Sequence, residues 1–268
     1  MSTRRIIWLT DVHFNFVDVD RVDALLDEIN SQQPEAVLVG GDIAESHDVV
    51  DWLLRLDERL ACPLFFVLGN HDYYHGSIAG VRQSVRQFCS KRPKSTYLTE
   101  GGVCPLGPRT ALIGHDGWSD AREGDFENST VVLNDYLLIE ELRGISRQRR
   151  REKLMQLGDE AAEHILLRLQ EALAEYPNVI LLTHVPPMRQ ACWYAGRTAD
   201  DNWAPHFTGA AVGNVIMATM PDFPDGKLTV LCGHTHNQGV VRPLPNVEII
   251  TGEAEYHHPQ ICRVFEVE

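Results

Sequence analysis

The sequence predicts an α/β protein in which parallel strands, joined by crossover helices, carry polar clusters to one edge of a sheet. Two observations lead there. Short apolar runs alternate three times with segments of helical periodicity at the start of the chain. Each run stops at a polar cluster: Asp11-Val12-His13, then Gly41-Asp42, then Gly69-Asn70-His71-Asp72. Parallel strands need long crossovers, and ligands of open α/β sheets bind beyond the carboxyl ends of the strands. The three clusters are therefore expected at one shared edge.

Residues 5–10 read as the first strand, ending at Asp11. Residues 19–33 place Val22, Leu25, Leu26 and Ile29 at helical spacing. Residues 36–40 form the second apolar run, and residues 49–60 repeat the helical pattern through Leu53, Leu54 and Leu56. The run 64–68 leads into Gly69, and a helix with Ile78, Val81, Val85 and Phe88 follows. Residues 95–99 and 109–114 read as strands, whereas 117–134 lack periodicity and read as a loop. Residues 135–176 read as helical; with the loop, the first part suggests an insertion at about 117–158 over the active edge of a single domain spanning 1–268. The strand 178–183 delivers Thr183-His184, and Pro186-Pro187 then turns the chain out into a loop. A helix at 210–220 leads to a strand at 228–232 and the turn Gly233-His234-Thr235-His236. Short β-like runs at 240–241, 247–251 and 261–267 close the chain, some of them expected to be antiparallel, in a second sheet packed on the first.

The formal charge of −14 argues against non-specific binding to nucleic acid or an anionic membrane. Bound dications would change that balance where an anionic substrate sits. The six cysteines are scattered without a CxxC pair, as in reduced thiols rather than a disulfide framework or a thiolate zinc site. The apolar run 6–9 is too short for a signal-peptide core, and no segment approaches membrane-spanning length. A soluble cytoplasmic protein is the expectation; the chain carries no sign of its oligomeric state.

The clusters offer carboxylates, imidazoles and one amide oxygen. That donor set suits Mn²⁺, Fe or Zn²⁺. Its size exceeds the needs of one tetrahedral ion and suits two ions about 3.5–4 Å apart. Residues two apart, such as Asp11 and His13 or His234 and His236, point to the same side of an extended segment.

The ordered series Asp11-x-His13, Gly41-Asp42, Gly69-Asn70-His71-Asp72, His184 and Gly233-His234-x-His236 resembles the calcineurin-like metallophosphoesterase superfamily. The resemblance implies a four-layer α/β/β/α sandwich of two mixed sheets with flanking helices, and a dinuclear site. One metal would take Asp11, His13, Asp42 and His236; the other would take Asp42, Asn70, His184 and His234, with Asp42 bridging. Two divalent ions would act through a bridging hydroxide. His71 is the candidate general acid, with Asp72 a candidate to orient it.

The segment Thr183-His184-Val185-Pro186-Pro187 is similar to the His-x-Pro-Pro form of the bacterial branch acting on cyclic nucleotides and glycerophosphodiesters. A small anionic phosphodiester is therefore the expected substrate. A phosphomonoesterase or a nuclease on the same site is the alternative, and a non-catalytic metal-binding scaffold is the alternative of another class. Protein phosphatases of the superfamily carry Asp-Arg-Gly after the Gly-Asp block, where this chain has Ile43-Ala44-Glu45. Candidate substrate contacts are Tyr73, Trp118, Arg197 and Trp203; the tryptophans would stack on a base or pack beneath loops. His115-Asp116 falls outside the series and reads as a polar turn or an anchor for the insertion. The run Arg147–Lys153 reads as a solvated helix face.

Overall fold

The first strand explains why the apolar runs are continuous. In the computed structural model, which describes residues 3–194 and 196–268, it spans Arg4–Leu9 (β1). Ile7 and Leu9 face one core and Ile6 and Trp8 another, so both faces are covered. Such a strand has apolar side chains at every covered position instead of every second one.

The chain continues through α1 (Val19–Ser31), β2 (Ala36–Gly40), α2 (Val49–Arg59), β3 (Leu64–Val67), α3 (Ile78–Cys89) and β4 (Ser95–Tyr97). Next come β5 (Cys104–Pro105), β6 (Thr110–His115), α4 (Asp135–Leu138), α5 (Arg147–Glu175) and β7 (Asn178–Thr183). A small hairpin, β8 (Trp193–Tyr194) and β9 (Arg197–Thr198), precedes α6 (Ala204–Phe207) and α7 (Ala210–Thr219). The last strands are β10 (Lys227–Cys232), β11 (Gly239–Leu244), β12 (Val247–Thr251) and β13 (Arg263–Val267).

Two mixed sheets result. The first has the order β13-β1-β2-β3-β4, with β13 antiparallel and the others parallel. The second has the order β11-β12-β10-β7-β6-β5, with antiparallel β11 and β5 at its edges. Ile6, Leu38 and Val67 of one sheet pack on Leu112, Leu182 and Leu231 of the other. Leu26, Leu53 and Val85 of α1–α3 cover the outer face of the first sheet. Ile165 and Leu169 of α5, with Ile216 of α7, cover that of the second. The layers are helix, sheet, sheet, helix, as the resemblance implies. Registers that pair Leu9 with Val39 and Leu182 with Leu231 bring the carboxyl ends level.

The helical stretch expected at 135–176 is interrupted. After α4 the chain leaves helical geometry, Gly144 takes φ +69°, and Ser146 Oγ caps α5 by accepting from Arg149 N. Residue 158 lies inside the unbroken α5, so no element ends there. The run Arg147–Lys153 does more than face solvent. Arg147 donates to the Phe126 carbonyl and the Arg150 guanidinium lies 4.5 Å above the Tyr136 ring, tying α5 to the preceding loop.

Candidate metal centre

The site is built on strained backbone at the strand ends. Asp11, His13, Asp42, His234 and His236 all have positive φ, between 42° and 69°. Left-handed backbone costs a non-glycine residue about 1–2 kcal/mol, and such strain concentrates where surrounding structure and function hold it. The paired residues therefore converge through left-handed turns, not through the strand alternation expected from their spacing. Cross-links between loops hold the turns: Asp11 N donates to the Gly41 carbonyl at 3.0 Å and His13 N to the Asp42 carbonyl at 2.9 Å. Two glycines make the approach possible. A Cβ on Gly69 would lie 2.1 Å from Asp42 Oδ1, and one on Gly233 1.9 Å from Asp11 Oδ2.

Two donor sets meet at Asp42. Ligand atoms of Asp11, His13, Asp42 and His236 lie within 4.8 Å of one another. Within that set His13 Nε2 and His236 Nε2 are 3.2 Å apart, and His236 Nε2 is 3.4 Å from Asp11 Oδ1. In the second set Asn70 Oδ1 lies 2.9 Å from His234 Nδ1 and 3.1 Å from His184 Nε2. Asp42 Oδ1 is 3.4 Å from His184 Nε2, while its Oδ2 is 3.8 Å from His13 Nε2. One carboxylate thus presents an oxygen to each set.

The outer hydrogen bonds leave the inward atoms available to a cation. His184 Nδ1 donates to the Gly40 carbonyl at 2.9 Å, which turns Nε2 inward. His234 Nε2 donates to the His206 carbonyl at 3.2 Å, which turns Nδ1 inward. Asp11 accepts from Thr10 Oγ1 at 2.7 Å and from His234 N at 2.9 Å. Burial alone would raise the Asp11 carboxyl, but the hydrogen bond from His236 and the charge of His184 hold it at about 2. Burial likewise opposes ionisation of Asp42, yet the charges of His184 and His71 keep it well below the ordinary carboxylate value. Burial lowers His13 and His234 to about 4 each, so those imidazoles are neutral donors. Burial would lower His184 too, but Asp42 raises it to about 10; cation binding at Nε2 therefore releases a proton. Converging ionised carboxylates, neutral imidazoles and an amide oxygen fit divalent cations.

The cleft over these donors has a volume of about 250 Å³. Asn70, His71, Tyr74, Leu133, Asn134 and Asp135 line one part of it, and Tyr194, Phe207, Asn237 and Tyr256 another. His71 packs at its mouth, with Nε2 3.9 Å from Asp42 Oδ2 and Nδ1 without a protein partner.

Other predicted residues sit elsewhere. Asp72 does not orient His71: Oδ1 accepts from Ile43 N and Ala44 N, and Oδ2 from Gly69 N, which braces the loops instead. Tyr73 is fully buried beneath the site, with its hydroxyl on Asp116 at 2.6 Å, and so cannot touch a substrate in the cleft. Trp118 is also buried, 5.7 Å from the Tyr73 ring. Arg197 is exposed on β9 and outside the cleft lining. Trp203 stands behind the wall, stacked on Phe207 at 5.3 Å and on Tyr194 at 5.8 Å. The wall-forming Tyr74, Tyr194, Phe207 and Tyr256 share no spacing signal in the sequence. Asp135 carried no signal at all.

A sequence profile of the calcineurin-like phosphoesterase family matches residues 4–238. An uncharacterized metallophosphoesterase of Helicobacter pylori is 38% identical over 76 residues, covering 27% of this chain and 20% of that protein. A probable cyclic nucleotide phosphodiesterase of a Pseudoalteromonas species is 33% identical over 81 residues, covering 25% of this chain and 31% of that protein. The local matches thus span a fifth to a third of these relatives. Among solved structures, a phosphopantetheinyl hydrolase from Mycobacterium tuberculosis is similar at a TM-score of 0.65 and 15% identity, covering 96% of this chain and 91% of that one. A dimetal phosphatase from Danio rerio is similar at 0.64 and 12% identity, covering 100% and 93%. At these identities the structural likeness speaks to the fold. Profile, fold and convergent donors lead to one conclusion: the chain belongs to the calcineurin-like phosphoesterase family.

Proposed function

We propose that this chain is a metal-dependent hydrolase that cleaves a small phosphodiester, with Asp11, His13, Asp42 and His236 holding one divalent cation and Asp42, Asn70, His184 and His234 a second. The composition of the cleft carries the reading. Around the donors it offers aromatic rings (Tyr74, Tyr194, Phe207, Tyr256) and neutral amides (Asn134, Asn237), and its further charged side chain is the carboxylate of Asp135. A diester presents an uncharged organic group on each side of one anionic phosphoryl centre, and such groups suit rings and amides. A monoester dianion is better matched by guanidinium or ammonium groups. The Thr183-His184-Val185-Pro186-Pro187 stretch and the partial match to a probable cyclic nucleotide phosphodiesterase support the same reading. The cleft volume of about 250 Å³ suits a small ester better than a nucleic acid duplex.

Bound cations, with Mn²⁺, Fe and Zn²⁺ suited to these donors, supply positive charge at the phosphoryl oxygens and a water-derived nucleophile at neutral pH. The chain's own residues do the rest. Asp42 spans both sets with its two oxygens. His71 Nε2, beyond hydrogen-bond range of Asp42, is free to give a proton to the leaving alkoxide. The aromatic wall holds the organic group and limits water around it.

The test compares hydrolysis of bis-p-nitrophenyl phosphate and p-nitrophenyl phosphate by metal-stripped protein resupplied with Mn²⁺. The expected result is a higher kcat/KM for the diester. A preference for the monoester would move the assignment to a phosphatase.

A further inference from the structure

Asp135 enters the site from the start of α4 and is 2% exposed. Its Oδ1 accepts two hydrogen bonds, from Asn70 Nδ2 at 2.9 Å and from Tyr74 Oη at 2.7 Å. The opposite end of the same carboxamide, Asn70 Oδ1, is the atom that approaches His184 and His234. The two ends of a carboxamide are nearly identical in shape and opposite in chemistry, so the network around it decides which faces the site. Asp135 Oδ1 has two donors aimed at it, Asn70 Nδ2 and Tyr74 Oη, and so serves as the acceptor. With Asp135 behind it, Asn70 must turn its NH₂ away from the donors and its oxygen toward them.

We propose that Asp135 is a positioning residue for the cation held by Asn70, His184 and His234. It locks the amide orientation and, by accepting the Nδ2 hydrogen, increases electron density on Oδ1. The inference rests on the two-cation reading above. It is the amide counterpart of the carboxylate that orients a metal-bound imidazole, whose removal typically costs about 10–100-fold in metal affinity. The effect is one-sided, because the partners of Asp135 are Asn70 and Tyr74, while Asp11 and His236 belong to the other set.

Calorimetric titration of the metal-stripped full chain with Mn²⁺, with bound metal counted by elemental analysis, tests this without measuring turnover. Wild type is expected to take two ions. Asp135→Ala should keep one at wild-type affinity and weaken the other about 10–100-fold. Asp135→Asn, whose amide oxygen still accepts from Asn70, should weaken that same ion less, and it serves if the alanine variant does not fold. Tyr74→Phe, which keeps the Asp135–Asn70 bond but removes the 3.2 Å contact from Asn70 Nδ2 to Tyr74 Oη, should weaken that same ion less than Asp135→Ala does. Unchanged affinities in both Asp135 variants would overturn the proposal and leave the two-cation reading intact. Equal weakening of both ions, with a lower melting temperature before metal is added, would also overturn it by reducing Asp135 to a packing role. Fewer than two ions in wild type would overturn the two-cation reading and this inference together.

Discussion

His71 packs its ring on His13 and Tyr74, at centroid distances of 4.7 and 4.3 Å, while its Nδ1 has no protein partner. A ring held by packing can keep its place and exchange its proton. His71→Ala is therefore expected to bind metal as wild type does and to lose about 10²–10⁴-fold in kcat. The loss should be steep for alkyl esters and shallow for p-nitrophenyl esters, whose leaving groups need little proton donation. Equal losses across a leaving-group series would remove the acid role. At this scale the series of donors was legible in the sequence because each follows an apolar run at a strand end. Asp72 was misread because adjacency in sequence says nothing about where a carboxylate points. Its three backbone donors come from Ile43, Ala44 and Gly69, two of them in a different loop.

At the scale of elements, the loop after β6 is anchored beneath the site by Asp116. This fully buried carboxylate accepts from Leu68 N at 2.7 Å, Thr99 Oγ1 at 2.7 Å and Tyr73 Oη at 2.6 Å, and it faces Arg82 at 3.3 Å. Burial would raise its pKa, but the Arg82 guanidinium and the neighbouring His115 hold it below the ordinary value. The network joins the end of β3, which leads to Gly69 and Asn70, to β4 and β6. Asp116→Ala would leave three buried hydroxyls, of Tyr73, Tyr97 and Thr99, without this acceptor and the half-buried Arg82 with Glu160 as its remaining carboxylate partner, so a loss of about 3–5 kcal/mol is expected. Urea unfolding of wild type and variant measures it, and a loss below about 1 kcal/mol would show that the network relaxes without its centre. His115-Asp116 read in sequence as a polar turn or an anchor for the insertion. The structure makes Asp116 an anchor, through partners from β3, β4 and α3 that no local pattern announces.

At the scale of the whole molecule, the second sheet and its helices bury histidines that lie outside the metal centre. His115 is 2% exposed, accepts from Gly117 N at 3.1 Å, and has the His164 ring 5.2 Å away. Burial, together with the Arg82 charge and His164, lowers its pKa to about 3 despite the opposing pull of Asp116. The unfolded chain then binds a proton near pH 6.5 that the folded chain refuses until about pH 3. Stability from this group is full above pH 6.5 and falls as pH drops through that window, by up to about 1.4 kcal/mol per pH unit. His115→Gln removes the refused proton. Its stability deficit against wild type should shrink between pH 7 and pH 5 under identical metal conditions, as measured by urea unfolding. A constant deficit would mean that the ring is charged in the fold.

The sequence by itself determined the α/β class, most strand positions and the ordered donor series. Periodicity reports which faces are covered, and strand ends in such sheets are where polar clusters collect. It did not determine how the donors converge: five of them reach the site through left-handed backbone that cross-loop hydrogen bonds hold in place. Nor did it reveal the wall of the cleft. Tyr74, Asp135, Phe207 and Tyr256 lie far apart along the chain and share no motif. Only tertiary structure brings them to one opening, because α4, α6 and the segment between β12 and β13 are placed by packing on the sheets and not by any local rule.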